Sequence, residues 1–188
     1  MHCAVCKTKD CKNGKDCFQA AEAHQEFYRD GRIQTLLRAA ASIEARHYCQ
    51  ETRIRETILF AKELGVKRLG LAFCVGLSEE AREIEALFKR DFEVVSVCCK
   101  VGGIYKSTFD LEQIHSDQEE VMCNPAGQAE FLNQVKTDLN VLCGLCVGHD
   151  AIFNMRSQAP VTTLIAKDRV LGHNPAAALY CQYIHRNL

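Results

Sequence analysis

The sequence has almost no net charge, no long apolar run and no apolar leader, and each shortage removes a class of function. Twenty-three basic residues against 24 acidic ones leave a net charge of −1. That balance argues against a general nucleic-acid-binding surface. No stretch reaches the ~18–20 apolar residues a membrane span requires. The opening segment, MHCAVCKTKDCKNGKDC, carries lysines and aspartates where a secretory leader would be apolar. The expectation is a cytoplasmic protein with no membrane or nucleic-acid partner. Nucleotide-loop signatures are missing too. No G-x-G-x-x-G follows the first strand-like run, and no G-x-x-x-x-G-K-[ST] occurs. The turn FCVGLSEE has one glycine and puts glutamates where a phosphate would bind.

What the chain does have is cysteine, 12 in 188 residues. Without an export signal these thiols are expected to stay reduced, so metal binding or thiol chemistry is a better account of them than disulfides. So many thiols also suit a reducing, anaerobic host. Four stand at the start, Cys3, Cys6, Cys11 and Cys17, spaced C-x2-C-x4-C-x5-C. The sequence around them is too polar to bury them by packing. Four soft ligands on one short loop suit a tetrahedral zinc or an iron–sulfur cube. The spacing resembles a zinc knuckle with cysteine in place of histidine. It also resembles the cubane sites of carbon monoxide dehydrogenases and hybrid-cluster proteins. Zinc ribbons separate their cysteine pairs by roughly a dozen residues or more. The close clustering here favours a [4Fe–4S] cluster over zinc as the cofactor of this loop.

Beyond residue 17 the pattern is that of one α/β domain. Residues 18–31 read as a short helix closed by Gly31, and 33–64 as a long helical run, one bent helix or two, stopped by Gly65. Apolar strands then alternate with helices. Strands are expected at 66–76, 92–103, 139–148 and 161–168, and helices at 78–91, 127–138, 149–158 and 175–187. Ser78 and Asn174 are the expected N-caps, and Pro175 the first helical residue. Strands apolar through their length, separated by helices, predict a parallel sheet of about four strands, Rossmann-like or flavodoxin-like, with helices on both faces. Residues 18–65 would pack on it as N-terminal helices. The long connection 106–125 is of the length used for lids and site builders.

In such sheets ligands bind beyond the carboxyl ends of the strands. Cysteine stands there repeatedly: Cys74-Val-Gly, Cys98-Cys99-Lys100-Val-Gly-Gly and Cys146-Val-Gly-His149-Asp. The glycines permit tight turns, and the helix starts that follow would point amide N–H groups at an anion or a thiolate. Cys123 and His149 could reach the same crevice, and Lys167 and Arg169 would supply cations for an anionic ligand. The candidate site is therefore Cys74, Cys98, Cys99, Cys123, Cys146 and His149. It could hold a second metal or cluster, with Cys98, Cys99, Lys100 and His149 as candidate catalytic groups. Cysteine also fills cores inertly, so any one of these alone reads more simply as packing. Cys143 and Cys146 form a CxxC. Along a strand, residues three apart face opposite ways, which argues against their pairing. Cys49 and Arg55 outline a phosphatase loop, but they lack its glycines and its strand-to-helix turn. Cys181 lies on the last expected helix and reads as a core residue, and His24, His47, His115 and His185 have no ligand-like partner in sequence.

The strings CAVCKTKDC, FCVGL, VCCKVGGI, CNPAGQAEFLN, LNVLCGLCVGHDAIF and APVTTLIAKDRVLGHNPAAALY resemble the domain-of-unknown-function family numbered 1847, a family of predicted metal-binding proteins of anaerobic bacteria and archaea. The resemblance spans nearly the whole chain. It implies metal binding by Cys3, Cys6, Cys11 and Cys17, and one common site for Cys74, Cys98, Cys99, Cys123, Cys146 and His149. Cys143 falls outside that implied set. Two functions follow as expectations. One is an iron–sulfur protein of redox or sulfur chemistry, with a redox partner or a small anionic ligand. The other is a zinc-binding accessory, sensor or carrier serving a metalloenzyme client.

Overall fold

The structure, a computed structural model, describes residues 2–186. The chain divides into two compact units, residues 1–50 and 51–188. The boundary falls inside the helical run 33–64.

In the first unit, residues 3–5 and 10–13 form two short 3-10 turns. They lead into α1 (Ala21–Phe27) and α2 (Gly31–His47). Gly31 opens α2 instead of closing α1. The reason is Asp30, whose carboxylate accepts from the amides of Arg32 at 2.8 Å and Ile33 at 3.1 Å and so caps a new helix. The run 33–64 is two helices. Cys49 turns the chain at φ +57. Thr52 then caps α3 (Arg53–Glu63), its hydroxyl accepting from the Arg55 amide at 3.3 Å.

The second unit is an all-parallel sheet with helices on both faces, as the alternation implied. Its strands are β1 (Arg68–Phe73), β2 (Glu93–Cys98), β3 (Leu139–Cys143) and β4 (Val161–Ile165), in the order β2-β1-β3-β4. All three strand pairs run parallel, from Arg68 opposite Glu93 and Leu69 opposite Leu139. Side-chain alternation assigns the faces. Leu69, Leu71, Leu139, Val141 and Cys143 face α3 and α4 (Ser78–Phe88), where Ile58, Ala61, Ile84 and Phe88 complete one core. Ala72, Val97 and Leu142 face α5 (Pro125–Gln134) and α6 (His149–Arg156), where Ala129, Leu132 and Phe153 complete the other. One buried polar link ties the α5 side together. The Thr137 hydroxyl donates to Asn140 Oδ1 at 2.8 Å, and Asn140 Nδ2 donates to the Ser157 hydroxyl at 2.9 Å.

Several expected boundaries move inward. The strands stop at residues 73, 98, 143 and 165, before the glycine turns that follow each of the first three. Ser78 is not the N-cap of α4. Leu77 holds that position, and the Ser78 hydroxyl donates instead to the Val75 carbonyl at 2.5 Å. The last expected helix is two single turns, α7 (Ala177–Tyr180) and α8 (Gln182–His185), interrupted by the extended backbone of Cys181, which is exposed and not a core residue. Ala176, not Asn174, precedes α7, without a side-chain cap. Residue 187, the expected end of that helix, lies outside the described residues.

Candidate functional site

The strand order places the crevice. From β1 the chain moves to one side, to β2, and from β3 to the other, to β4. The carboxyl ends of β1 and β3 therefore flank a topological switch point, where doubly wound sheets bind ligands. Cys74 follows β1 and Cys143 ends β3, and the Cys74 amide donates to the Cys143 carbonyl at 3.1 Å. Gly144 then turns the chain at φ +69. A β-carbon there would sit 2.6 Å from the Leu77 side chain, so only glycine lets β3 end this close to the turn after β1.

The central feature is a thiol pair built from distant segments. Cys99 lies just beyond β2, and Cys123 just before the Asn124 cap of α5. Their sulfurs are 3.7 Å apart and share a hydrogen bond. Each is anchored by backbone. The Cys99 amide donates to Phe73 O at 2.9 Å, and the Asn124 amide donates to Cys99 O at 2.8 Å. Asn124 caps α5 by accepting from the Gly127 amide at 2.8 Å, while its Nδ2 donates to Val101 O at 3.1 Å. The Val75 amide donates to the Cys99 sulfur at 3.3 Å, the kind of amide-to-sulfur contact expected at a strand-to-helix turn.

The two thiols are unequal. Cys99 is 2% exposed, whereas Cys123 is only half-buried. The hydrogen bond with Cys99 holds Cys123 down at about 5, helped by the positive charges of Lys100 and His149. The bond with Cys123 and burial away from water push Cys99 up. The two shifts run in opposite directions, so Cys123 gives up its proton before Cys99 does. The start of a helix beside Cys123 favours its negative charge as well.

Cations line the rest of the rim. Lys167 Nζ lies 3.5 Å from the Cys74 sulfur, and an Arg169 guanidinium nitrogen lies 2.9 Å from the Cys146 sulfur. Lys100 Nζ donates to Val121 O at 2.6 Å. That bond fixes it at the neck of the long 106–121 connection, which is closed by a Tyr105–Val121 bridge and a Lys106–Glu120 ion pair at 2.5 Å. Of the expected site residues, Cys74, Cys99, Lys100, Cys123, Cys146 and His149 thus lie at one end of the sheet. Cys98 packs with the core on the α3–α4 face and, among the described residues, makes no hydrogen bond to another sulfur.

Cys143 sits differently from its expectation. β3 ends at this residue, so Gly144 to Gly148 are loop and the strand argument against a Cys143–Cys146 pair does not apply. Cys143 is instead fully buried, and burial pushes its thiol up to about 12. Gln128 on α5 is the group that sequence reasoning missed. It is fully buried, and its Nε2 donates to Phe73 O at 3.1 Å and Val97 O at 2.7 Å, clamping the ends of β1 and β2. A lone glutamine in a helical pattern gives no signal of such a role.

In the first unit, Cys3, Cys6, Cys11 and Cys17 are all exposed and free. The Cys6 sulfur has Thr8 Oγ1 at 3.8 Å, and the Cys11 sulfur donates to Lys9 O at 3.7 Å. The Lys9 amide, then Thr8, lower the Cys6 thiol. The donors suit a soft metal, but they are not gathered around one. Among the described residues, no three His, Cys, Asp or Glu side chains converge as a metal ion would need.

The chain belongs to the family described as "Protein of unknown function (DUF1847)", whose model matches residues 11–164. The match includes every strand-end cysteine, and Cys11 and Cys17 but not Cys3 and Cys6. An uncharacterised protein of Methanocaldococcus jannaschii is 44% identical over 190 residues, covering 100% of this chain and 98% of its own length. No solved structure matches.

Proposed function

We propose that this member of the unknown-function family is a thiol-redox protein, with Cys123 as the attacking thiolate and Cys99 as the thiol that resolves it. The observation carrying this reading is the 3.7 Å Cys99–Cys123 pair, one sulfur buried and the other partly exposed, with the Cys123 thiol the more acidic of the two. Thiol–disulfide exchange needs that asymmetry, because the thiolate is the nucleophile. Cys123 attacks a disulfide R–S–S–R′, forms a mixed disulfide with R–S and releases R′–S⁻. The Cys99 sulfur, once its proton is lost, attacks the Cys123 sulfur and releases R–S⁻. Two cysteine sulfurs are oxidised and the partner disulfide is reduced by the same two electrons. Lys100 and His149 keep Cys123 charged, and the Val75 amide steadies the negative charge that forms on Cys99 during resolution. Gln128 acts indirectly, by fixing the strand ends that carry Cys99.

The test uses the reduced full chain with the uncharged oxidant diamide, followed by peptide mapping. The expected product is one Cys99–Cys123 disulfide, reversed by dithiothreitol. Mapping that finds these two cysteines unlinked while other thiols oxidise would sink the reading.

A second reading is supported by the first unit. Four exposed thiols on turns with no core of their own suit a soft metal that gathers its ligands as it binds. In this reading Cys3, Cys6, Cys11 and Cys17 would hold a [4Fe–4S] cluster or a zinc ion, as an electron relay or as a carrier's cargo site. Anaerobic purification with iron, zinc and acid-labile sulfide analysis decides it. Metal lost when the four are changed to serine supports it, and a metal-free wild-type chain overturns it.

A further inference from the structure

We propose that the substrate of the strand-end crevice is a small anion carrying sulfane sulfur, of the thiosulfate or inorganic polysulfide type, and that the site releases its sulfur as sulfide. The inference rests on the dithiol reading above and names what the pair acts on.

The argument starts from the cations. An exchange site for neutral organic disulfides requires one thiolate and one resolving thiol. This crevice has more: a positive group stands beside each of three sulfurs, the buried Cys74 and the partly exposed Cys123 and Cys146. Lys167 is 3.5 Å from Cys74, and Arg169 is 2.9 Å from Cys146. The charges of Lys100 and His149 act on Cys123. Lys167 is partly buried, and a β-carbon at Gly76 would come within 3.2 Å of its Nζ. The ammonium therefore packs against the Gly76 backbone beside the Cys74 sulfur. Lys100 is held by Val121 O at the neck of a long loop and cannot swing freely into solvent.

Soft nucleophiles interleaved with hard cations fit a ligand that has one soft and one hard end. A sulfane-sulfur anion has that form. Its oxygens or terminal charge would rest on Lys167 and Arg169 while its outer sulfur meets Cys123. A metal ion fits less well, because no three donors converge among the described residues. Fixed cations also disfavour a second positive charge nearby.

The chemistry balances without a further reagent for one turnover. The Cys123 thiolate attacks the outer sulfur of thiosulfate. A Cys123 S–S bond forms, the sulfur–sulfite bond breaks, and sulfite leaves with the electron pair. Cys99 then attacks the Cys123 sulfur, giving the Cys99–Cys123 disulfide. The outer sulfur leaves as hydrosulfide, taking the proton of Cys99. The sulfane sulfur is reduced by two electrons, which the two cysteines supply. A dithiol reductant returns the disulfide to the starting pair by exchange.

The experiment mixes the reduced, desalted full chain with thiosulfate under argon, with tetrasulfide in a parallel arm. Wild-type chain is expected to release one sulfite and one sulfide per chain from thiosulfate and to end with Cys99 linked to Cys123. Cys99→Ser is expected to stop halfway, gaining the mass of one sulfur atom on the peptide carrying Cys123. Lys167→Met and Arg169→Met are expected to raise the KM for thiosulfate about tenfold or more, as removal of a charge clamp does. Their effect on oxidation by uncharged diamide should be smaller. Sulfur transfer from tetrasulfide alone would assign the polysulfide source. If neither anion loads Cys123 or yields sulfide while diamide still forms the disulfide, the substrate assignment fails and the dithiol reading stands. If diamide also fails, both fall. The wild-type product counts need no variant to fold, so a misfolded Cys99→Ser leaves the test intact.

Discussion

Two groups of cysteines divide this molecule, and they differ in what surrounds them more than in how close they lie in sequence. The four near the start fall within fifteen residues of chain, yet their side chains are exposed and do not converge. Cys99 and Cys123 are 24 residues apart and their sulfurs are 3.7 Å from each other. The first group stands on 3-10 turns held by local backbone bonds, such as the Cys6 amide on Cys3 O at 3.2 Å. The second is fixed by the ends of parallel strands packed between two apolar cores. Nearness along a chain gathers ligands only when something pays the entropy of ordering them, and in the first unit a bound metal would have to do so. In the sheet, burial of Leu71, Val141 and Phe153 has already done it.

If the sheet core positions the thiols, damage to the core should disturb them most. Phe153→Ala empties a fully buried site on the α6 face and is expected to cost about 4 kcal/mol in urea unfolding. It should also slow diamide closure of the Cys99–Cys123 pair, which a purely local pair would not show.

High pH gives the next largest effect. The folded pKa of Cys143 is raised from the usual thiol value of 9.0 to about 12. A raised acid favours the protonated folded state, so its contribution is fully present below pH 9 and is lost as pH climbs from 9 toward 12. That window is worth a few kcal/mol, at ~1.4 kcal/mol per pH unit. Thermal unfolding from pH 8 to 11 should show the fall, and Cys143→Ala should make it shallower, the raised Cys99 thiol supplying what remains. Cys123 runs the other way. Its lowered pKa stabilises the fold above pH 9 and loses that contribution as pH drops through about 5.

Gly144→Ala should cost about 2 kcal/mol, since the residue sits at φ +69 with Leu77 2.6 Å from the added carbon. The smallest change is expected in the other group. Changing Cys3, Cys6, Cys11 and Cys17 to serine in metal-free chain should shift stability by less than ~0.5 kcal/mol, as for other exposed positions. A larger loss would mean that these thiols already do structural work without metal.

Much of the fold was legible because strand-and-helix alternation is a local signal. Apolar runs such as LGLAF announced buried parallel strands, whereas α5 starts at Pro125, two residues before the expected Gly127, because Asn124 caps it. Boundaries were less legible where a polar side chain had two uses. Asp30 starts a helix where Gly31 suggested a stop, and Ser78 bonds backward to Val75 O instead of capping α4. At the site, three strand ends finishing in cysteine and glycine pointed to the end of the sheet where Cys99 and Cys123 meet. The pairing itself was not visible, nor was the Gln128 clamp.

By itself the sequence determined the class of fold, the end of the sheet where soft side chains collect, and the presence of two cysteine groups of different character. Those are consequences of period, turn residues and composition, each readable within a short window. Tertiary structure alone decided which thiols meet, which are ionised and which cation each one faces. Strand order put β1 and β3 at the switch point, and the long connection after β2 brought Cys123 back to Cys99 ahead of α5. Charge and pKa depend on distances of a few ångströms and on exclusion of water. Both are set by packing between segments far apart in the chain.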